Sequence, residues 1–331
     1  IVLDPALPER DLERLKAERL AEILQRRAEP RGLADDMFSR FVYASNSRYV
    51  VPDAGSAASV SAISRQEVAA FHAARYRPGS TTAIIVGDVG VDDALRVMRA
   101  RFATWPAQRA ATASADDRPA RRTRAVHLVE KVDAPQSELR IGHVGLPRTH
   151  PDYFAALVMN MLLGGLFSSR INLNLREAHG YTYGAFSSFD WRRQAGPFVV
   201  ASAVRSDVTA AAAREVMVEI DRIRSERVSA EELSLATSYL AGVFPIRYET
   251  TTAIARALAA MVVYGLPADY FDTYRNRVQA VSASDVLGAA REFLHPEELQ
   301  LVAVGDPAVI REPLNAMALG PVESYDTEGV P

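Results

Sequence analysis

Apolar positions recur with a helical period over most of this chain and condense into short β-branched runs at a few places. Residues 9–26 (ERDLERLKAERLAEILQR) set Leu12, Leu15, Arg19, Glu22 and Ile23 at helical spacing among lysines, arginines and glutamates, which predicts a long helix. A second helix is predicted over about 31–42, ahead of the turn-rich stretch ASNSRYVVPDAGS. Ser64 reads as the N-cap of a helix from about 65 to 75, with Glu67 completing a capping box. Residues 81–86 (TTAIIV) read as a short buried strand, and 91–103 return to helix. The stretch 105–124 (WPAQRAATASADDRPARRTR) has no period and the composition of a linker.

Beyond that linker, AVHLVEKV (125–132) and SELRIGHVGL (137–146) are strand candidates. A helix over 150–163 is stopped by Gly164-Gly165. Another runs from the Ser168-Ser169 cap to His179, with Gly180 suited to the left-handed position after it. A hairpin follows, YGAFSSFDW and PFVVASAV around a turn at 194–196. Helices near 208–225, 229–242, 251–264, 268–279 and 283–293 lead to a strand at 299–304. Strands and helices grouped without strict alternation argue for α+β layers.

The chain also repeats itself. ISRQEVAAFHAARYRPGSTTAIIVGD (63–88) aligns without a gap on VSASDVLGAAREFLHPEELQLVAVGD (281–306), at an offset of 218 residues. Each copy is a helix, a Pro-marked turn and a strand ending in Val-Gly-Asp. The second unit starts near Val126, so the first copy lacks about 90 residues at its front. The expected organisation is two homologous lobes of antiparallel sheet flanked by helices, the first incomplete at its N-terminus. It comprises 1–104 as the C-terminal half of the first lobe, 105–124 as linker, 125–318 as a complete second lobe and 319–331 as a tail.

Composition narrows the chemistry. A net charge of −3 calls for neither nucleic acid nor an anionic membrane, and the basic run RPARRTR (118–124) reads as a solvated linker. There are no cysteines, which excludes disulfides, thiolate nucleophiles and Cys-based zinc sites. The apolar run ALVMNMLLGGLF (156–167) is too short to span a bilayer and is broken by Asn160. IVLDPALPERD is not a signal peptide, though one could lie in the missing portion. A periplasmic or other extracytoplasmic location is the working expectation. The histidines (72, 127, 143, 150, 179 and 295) include no pair at the i, i+4 spacing that puts two imidazoles on one zinc ion. Gly-x-Ser-x-Gly, Walker and Gly-x-Gly-x-x-Gly motifs are absent, and VGDVG (86–90) reads as a strand end plus tight turn.

The segment 164–191 (GGLFSSRINLNLREAHGYTYGAFSSFDW) carries the candidate chemistry. Arg176 sits in the last turn of a predicted helix, and Tyr183 lies seven residues on at the start of a strand. A guanidinium and a phenol at such a junction can face one cleft, where they suit a peptide carbonyl or a developing oxyanion. The competing reading is that Arg176 caps its own helix and Tyr183 packs in the core.

INLNLREAHGYTYGAFSSF, GPFVVASAVRSD, PQSELRIGHVGLPR, GVFPIRYETTTAIA, YGLPADY and FHAARYRPGSTTAIIVGDV occur in an order that resembles the insulinase/pitrilysin-type zinc metallopeptidases. The resemblance implies two homologous lobes per chain that close in pairs as a clamshell around a peptide. It also implies an inverted His-x-x-Glu-His zinc motif, a later Glu ligand, and an Arg–Tyr pair seven residues apart that binds substrate. Arg176 and Tyr183 match that pair, and Glu22 matches the later ligand, in competition with an ordinary surface carboxylate. The zinc motif itself is absent; counting back from Glu22 places it ahead of Ile1. The chain is thus expected to supply no catalytic residue of its own, with zinc present only in the assembled enzyme. Expected partners are a peptide and either a homologous subunit, as homo- or heterodimer, or a cleaved N-terminal fragment. The wording ERLAEILQRRAEP is closer to the non-catalytic subunits, so a peptide-binding or scaffolding role without cleavage stands as the alternative.

Overall fold

A computed structural model describes residues 2–106, 108–110 and 116–331. Part of the predicted linker, at 107 and 111–115, lies outside the described residues. In chain order the helices begin with α1 (Glu9–Ala28), α2 (Pro30–Val42), α3 (Ala57–Ala62), α4 (Arg65–Arg75) and α5 (Val91–Phe102). Strands β1 (Ala125–Glu130) and β2 (Gln136–Val144) follow, then α6 (Tyr153–Asn160), α7 (Arg170–Asn172), β3 (Ala185–Phe189) and β4 (Pro197–Arg205). The remainder is α8 (Thr209–Ser225), α9 (Ala230–Ile246), α10 (Thr251–Tyr264), α11 (Tyr270–Gln279), α12 (Ala283–Phe293), β5 (Gln300–Gly305), α13 (Pro307–Asn315) and β6 (Val322–Tyr325).

Two compact units interleave along the chain. The first gathers Ile1–Leu24, Asp53–Ser114 and Phe244–Ala268; the second gathers Gln25–Pro52, Ala115–Val243 and Asp269–Pro331. Thus α2, from the first half of the sequence, belongs to the second unit, and α10, from the second half, belongs to the first.

The second unit is built on one six-stranded sheet in the order β3-β4-β2-β5-β1-β6. β3, β4, β2 and β5 pair antiparallel, whereas β1 joins β5 and β6 in parallel. Side chains alternate across a strand, and β2 shows the consequence. Leu139 and Ile141 are fully buried on one face, while Arg140 and Gly142 meet α2 on the other. α2 covers that face with Leu33, Met37, Phe38 and Phe41, packed against Val129, Val302 and Val304. α6, α8 and α12 pack together and against the sheet. Within this unit three of the four arginines of the basic run are paired: Arg121 makes a bidentate pair with Glu323, Arg122 meets Glu298 at 3.0 Å, and Arg118 meets Asp116 at 2.6 Å. The helical stretch Tyr153–Ala178 is long and apolar enough to cross a membrane by length and composition, but 72% of its most apolar window is buried inside the protein.

The repeat is legible in the caps. Ser64 closes a capping box with Glu67 on α4, and Ser282 closes the equivalent box with Asp285 on α12, 218 residues on. The burial of the two copies differs. α12 buries Val286, Ala289, Ala290 and Phe293, whereas α4 buries nothing and Phe71 is 61% exposed. The predicted buried strand at 81–86 forms no ladder, and Ile85 is exposed. Its counterpart β5 has a partner on each side, β1 and β2. No strand pairs with 81–86 among the described residues, so its backbone has no ladder to join.

Candidate functional site

The segment that carries the candidate pair is shaped by buried asparagines. α6 runs into a π-helical turn, Met161–Gly165, and α7 into a second, Leu173–Ala178, which bears Arg176. β3 is an edge strand of the sheet, and its outward backbone groups need partners. Asn172 Oδ1 accepts from Ala185 N at 3.0 Å, and Asn160 Nδ2 donates to the Ser187 carbonyl at 3.1 Å. Ser187 Oγ in turn donates to Asn160 Oδ1 at 2.8 Å. Gly164 is required here because an added Cβ would lie 2.4 Å from the Ser187 nitrogen. Two outward groups of β3, the Ala185 N–H and the Ser187 carbonyl, are thus met from within the chain.

The turn after the second π-helical segment closes tightly. His179 N donates to Asn174 O, Gly180 N to Arg176 O and Tyr181 N to Leu175 O, at 3.1, 3.2 and 2.8 Å. Gly180 takes a φ of 61°, the left-handed conformation predicted for it. The Thr182 hydroxyl then anchors the chain to β4, hydrogen-bonding Ala203 O at 2.6 Å and receiving the Gly184 N–H at 3.0 Å. With Thr182 held inward, Tyr183 turns outward.

Tyr183 is 91% exposed, which excludes the core-packing reading. It stands beside a groove of about 440 Å³. Ala201 and Ala203 of β4 give this groove small side chains, Phe186 of β3 an aromatic one, and Glu138, Arg140 and Arg31 charge. Arg140 is buried, with four of its five donors engaged. Its Nε donates to Asp35 at 2.6 Å, its Nη1 to Glu138 and Leu139 O at 2.9 and 2.8 Å, and its Nη2 to Arg31 O at 3.3 Å. Arg140 thus fixes the groove's geometry and leaves Arg31 and Tyr183 with polar groups to offer.

Arg176 is not among the residues lining that groove. Its guanidinium carbon lies 4.4 Å from the ring centroid of Phe167, a cation–π contact. Nη1 sits 3.2 Å from Glu177 Oε1, within ion-pair range, yet that nitrogen makes no aligned hydrogen bond. The guanidinium is held by a ring face and a neighbouring charge, with an N–H still to spend. Sequence reasoning named Arg176 and Tyr183 but missed Phe167, Asn160, Asn172 and the Arg31–Arg140 rim. Asn160 interrupting an otherwise apolar run was the one visible signal.

Glu22 lies on the exposed face of α1, its carboxylate 2.9 Å from Arg19. Among the described residues the metal-sized group of His, Asp and Glu is His150, Asp152 and Glu292, on the second unit, and it does not include Glu22. By itself Glu22 offers one carboxylate, a single ligand of the four that a zinc site takes.

The chain matches the model for the peptidase M16 inactive domain over residues 62–240, and it belongs to that family. An uncharacterized zinc protease of Streptomyces coelicolor is 25% identical over 292 residues, covering 87% of this chain and 63% of that protein. An uncharacterized zinc protease of Mycobacterium tuberculosis is 25% identical over 285 residues, again 63% of its length. The chain therefore spans under two thirds of these relatives. The crystal structure of a peptidase M16 inactive domain from Pseudomonas fluorescens superposes with a TM-score of 0.85 at 27% identity, covering 92% of this chain and 73% of that one. A chain of complex III2 from Candida albicans shares the fold, with a TM-score of 0.76 at 13% identity. The resemblance read from the sequence is thus confirmed, as is the mixed helix-and-sheet class.

Proposed function

We propose that this chain is the substrate-side component of a zinc-dependent endopeptidase that encloses peptides, with the metal and the general base supplied from outside these 331 residues. The observation that carries the reading is the outward phenol of Tyr183 beside a groove of small, aromatic and charged side chains, in a chain of the peptidase M16 inactive domain family. Small alanines leave room for an extended backbone, Phe186 offers an apolar contact, and Tyr183 and Arg31 offer donors to peptide carbonyls. Arg176, poised on Phe167, would swing or reach to a carbonyl once substrate is present. The proposed partner is a homologous subunit or the remainder of the first lobe. The exposed apolar side chains Phe71, Ile85, Leu95 and Val97 of the first unit favour a covering protein surface.

Two substitutions test this. Arg176→Ala and Tyr183→Phe should each weaken peptide binding by the assembled complex about tenfold, the worth of one hydrogen bond to substrate. Fluorescence anisotropy with labelled peptides reads the affinity, and turnover should fall in parallel. Wild-type affinity and turnover in both variants would overturn the role. The stretch ERLAEILQRRAEP, closer in wording to the non-catalytic subunits, favours one alternative, a peptide-binding scaffold that does not cleave. In that case the variants lose affinity while a chelator changes nothing.

A further inference from the structure

Resting on that reading of Arg176 and Tyr183, we propose that Glu215 and Glu219 are positioning residues that fix the turn between them by gripping it on both sides of Arg176. The two carboxylates are one helical turn apart on α8, so they project from the same face. Asn174, two residues before Arg176, donates its amide to both, at 3.1 Å to Glu215 Oε2 and 2.9 Å to Glu219 Oε1. His179, three residues after Arg176, places Nε2 3.7 Å from the same Glu215 oxygen. Its ring stacks on Tyr181 at 4.8 Å and 21°. Glu215 therefore faces both Asn174 and His179, and Glu219 doubles the hold on the first.

The cost of this arrangement is visible. Glu219 is only 4% exposed, and its Oε2 has no hydrogen-bond partner; Arg222 Nη1 is 3.8 Å away. Asn174 Oδ1 is buried without a partner as well. A buried carboxylate that has lost water depends heavily on each donor that remains. An apolar contact would join α8 to this turn at lower cost, but it would not specify the direction in which the turn points. The π-helical geometry makes such specification necessary. A π turn replaces the i→i+4 bonds of an α-helix with wider i→i+5 ones, such as His179 N to Asn174 O, so Arg176 leaves the segment in a direction that α-helical spacing would not give, and the contacts from α8 hold that turn in place.

The test separates orientation from folding. Asn174→Asp puts a third carboxylate where the donor was, and should raise the amide exchange rates of His179, Gly180 and Tyr181 about tenfold, as expected when a hydrogen bond to a charged group is lost. The double variant Asn174→Asp with Glu219→Gln restores a donor–acceptor pair at position 219 with the roles reversed, while Glu215 still opposes the new carboxylate, so exchange should slow again part of the way. Peptide affinity, read with fluorescein-labelled random-sequence peptides well below the melting temperature, should fall and recover with the exchange rates. A merely structural role would lower the melting temperature and leave exchange in this segment and affinity in the folded state unchanged, which would overturn the proposal. Exchange that changes while neither Arg176→Ala nor Tyr183→Phe affects peptide binding would uphold the positioning and sink the peptide-binding reading on which it rests.

Discussion

Gly142→Ala is expected to destabilise the second unit by about 3 kcal/mol, at the upper end of ordinary overpacking. Gly142 lies in β2, opposite Val199 of β4 on one side and Gln300 of β5 on the other, in the middle of the sheet. A Cβ built there falls 1.9 Å from the Phe198 carbonyl oxygen and 2.9 Å from Phe38 Cζ. The first atom is backbone inside the β2–β4 ladder, so relief requires that the ladder open. The second belongs to α2, so relief on that side displaces the helix that covers the sheet. Gly242→Ala is the control, because an added methyl there meets nothing within 4 Å in α9. It should be neutral or stabilise by up to about 1 kcal/mol, through the better helix propensity of alanine. Urea midpoints at constant m-value read both. If the two variants unfold alike, the close approach at Gly142 is not what the geometry says.

Why could Gly142 not be picked out in advance, when Gly180 could? Gly180 follows a helical run and precedes a strand, so its left-handed φ is a local consequence of the sequence around it. The pressure on Gly142 comes from Phe198 and Phe38, both far away along the chain. The same divide runs through the rest of the molecule. The capping boxes at Ser64 and Ser282, α8, α10 and the β3–β4 hairpin are written within a few residues of where they form. The fate of TTAIIV at 81–86 depends on neighbours: the run is more β-branched than β5, but only β5 has strands on both sides. The segment 319–331 was read as a tail, yet Val322–Tyr325 forms β6. Four residues, Val-Glu-Ser-Tyr, are too few to betray a strand that β1 recruits in parallel. α3 and α13 were missed for the same reason of length.

The candidate site divides likewise. Residue types and spacing left Arg176 and Tyr183 open to a capping and core-packing reading, and the family resemblance singled them out; Tyr183 is exposed. That Arg176 rests on Phe167, away from the groove lining, could not be read from a spacing of seven, because the π turn between them changes which way each side chain leaves the backbone. The asparagines that hold the edge of β3 and the π turn look like ordinary polar residues in sequence. Their role depends on Ala185, Ser187, Glu215 and Glu219 arriving from elsewhere.

Acid should weaken the second unit well before its carboxylates are protonated, and His143 is the main cause. Its side chain is enclosed between β4 and the segment after α12, with Nδ1 hydrogen-bonded to the Val144 carbonyl at 2.8 Å and Nε2 receiving the His295 N–H at 3.1 Å. Burial pushes its pKa down to about 4 from an ordinary 6.5, with the nearby His295 adding to the depression and the Val144 carbonyl opposing it. His127, stacked on Phe41 at 4.2 Å, is lowered by burial too, against the pull of Gln300 and Glu323. Both rings are neutral in the fold, whereas in the unfolded chain they take a proton near pH 6.5. Stability is therefore full above that value and falls as pH drops, because the unfolded state binds protons that the folded state refuses. For His143 the loss runs at up to about 1.4 kcal/mol per pH unit and amounts to about 3 kcal/mol by pH 4, where the folded ring begins to accept its own proton. Carboxylates held low by partners, such as Glu232 beside Arg170 and Glu323 beside Arg121, contribute in the same direction but only from about pH 4.5 downward. The interval from 6.5 to 4.5 thus belongs to the histidines. Urea midpoints taken across it should decline steadily in the wild type. In His143→Gln the starting stability should be lower and the decline shallower, since glutamine can meet the His295 N–H without titrating. A slope unaltered by the substitution would mean that this imidazole takes up its proton as readily in the native state as in the unfolded chain, against everything its surroundings dictate.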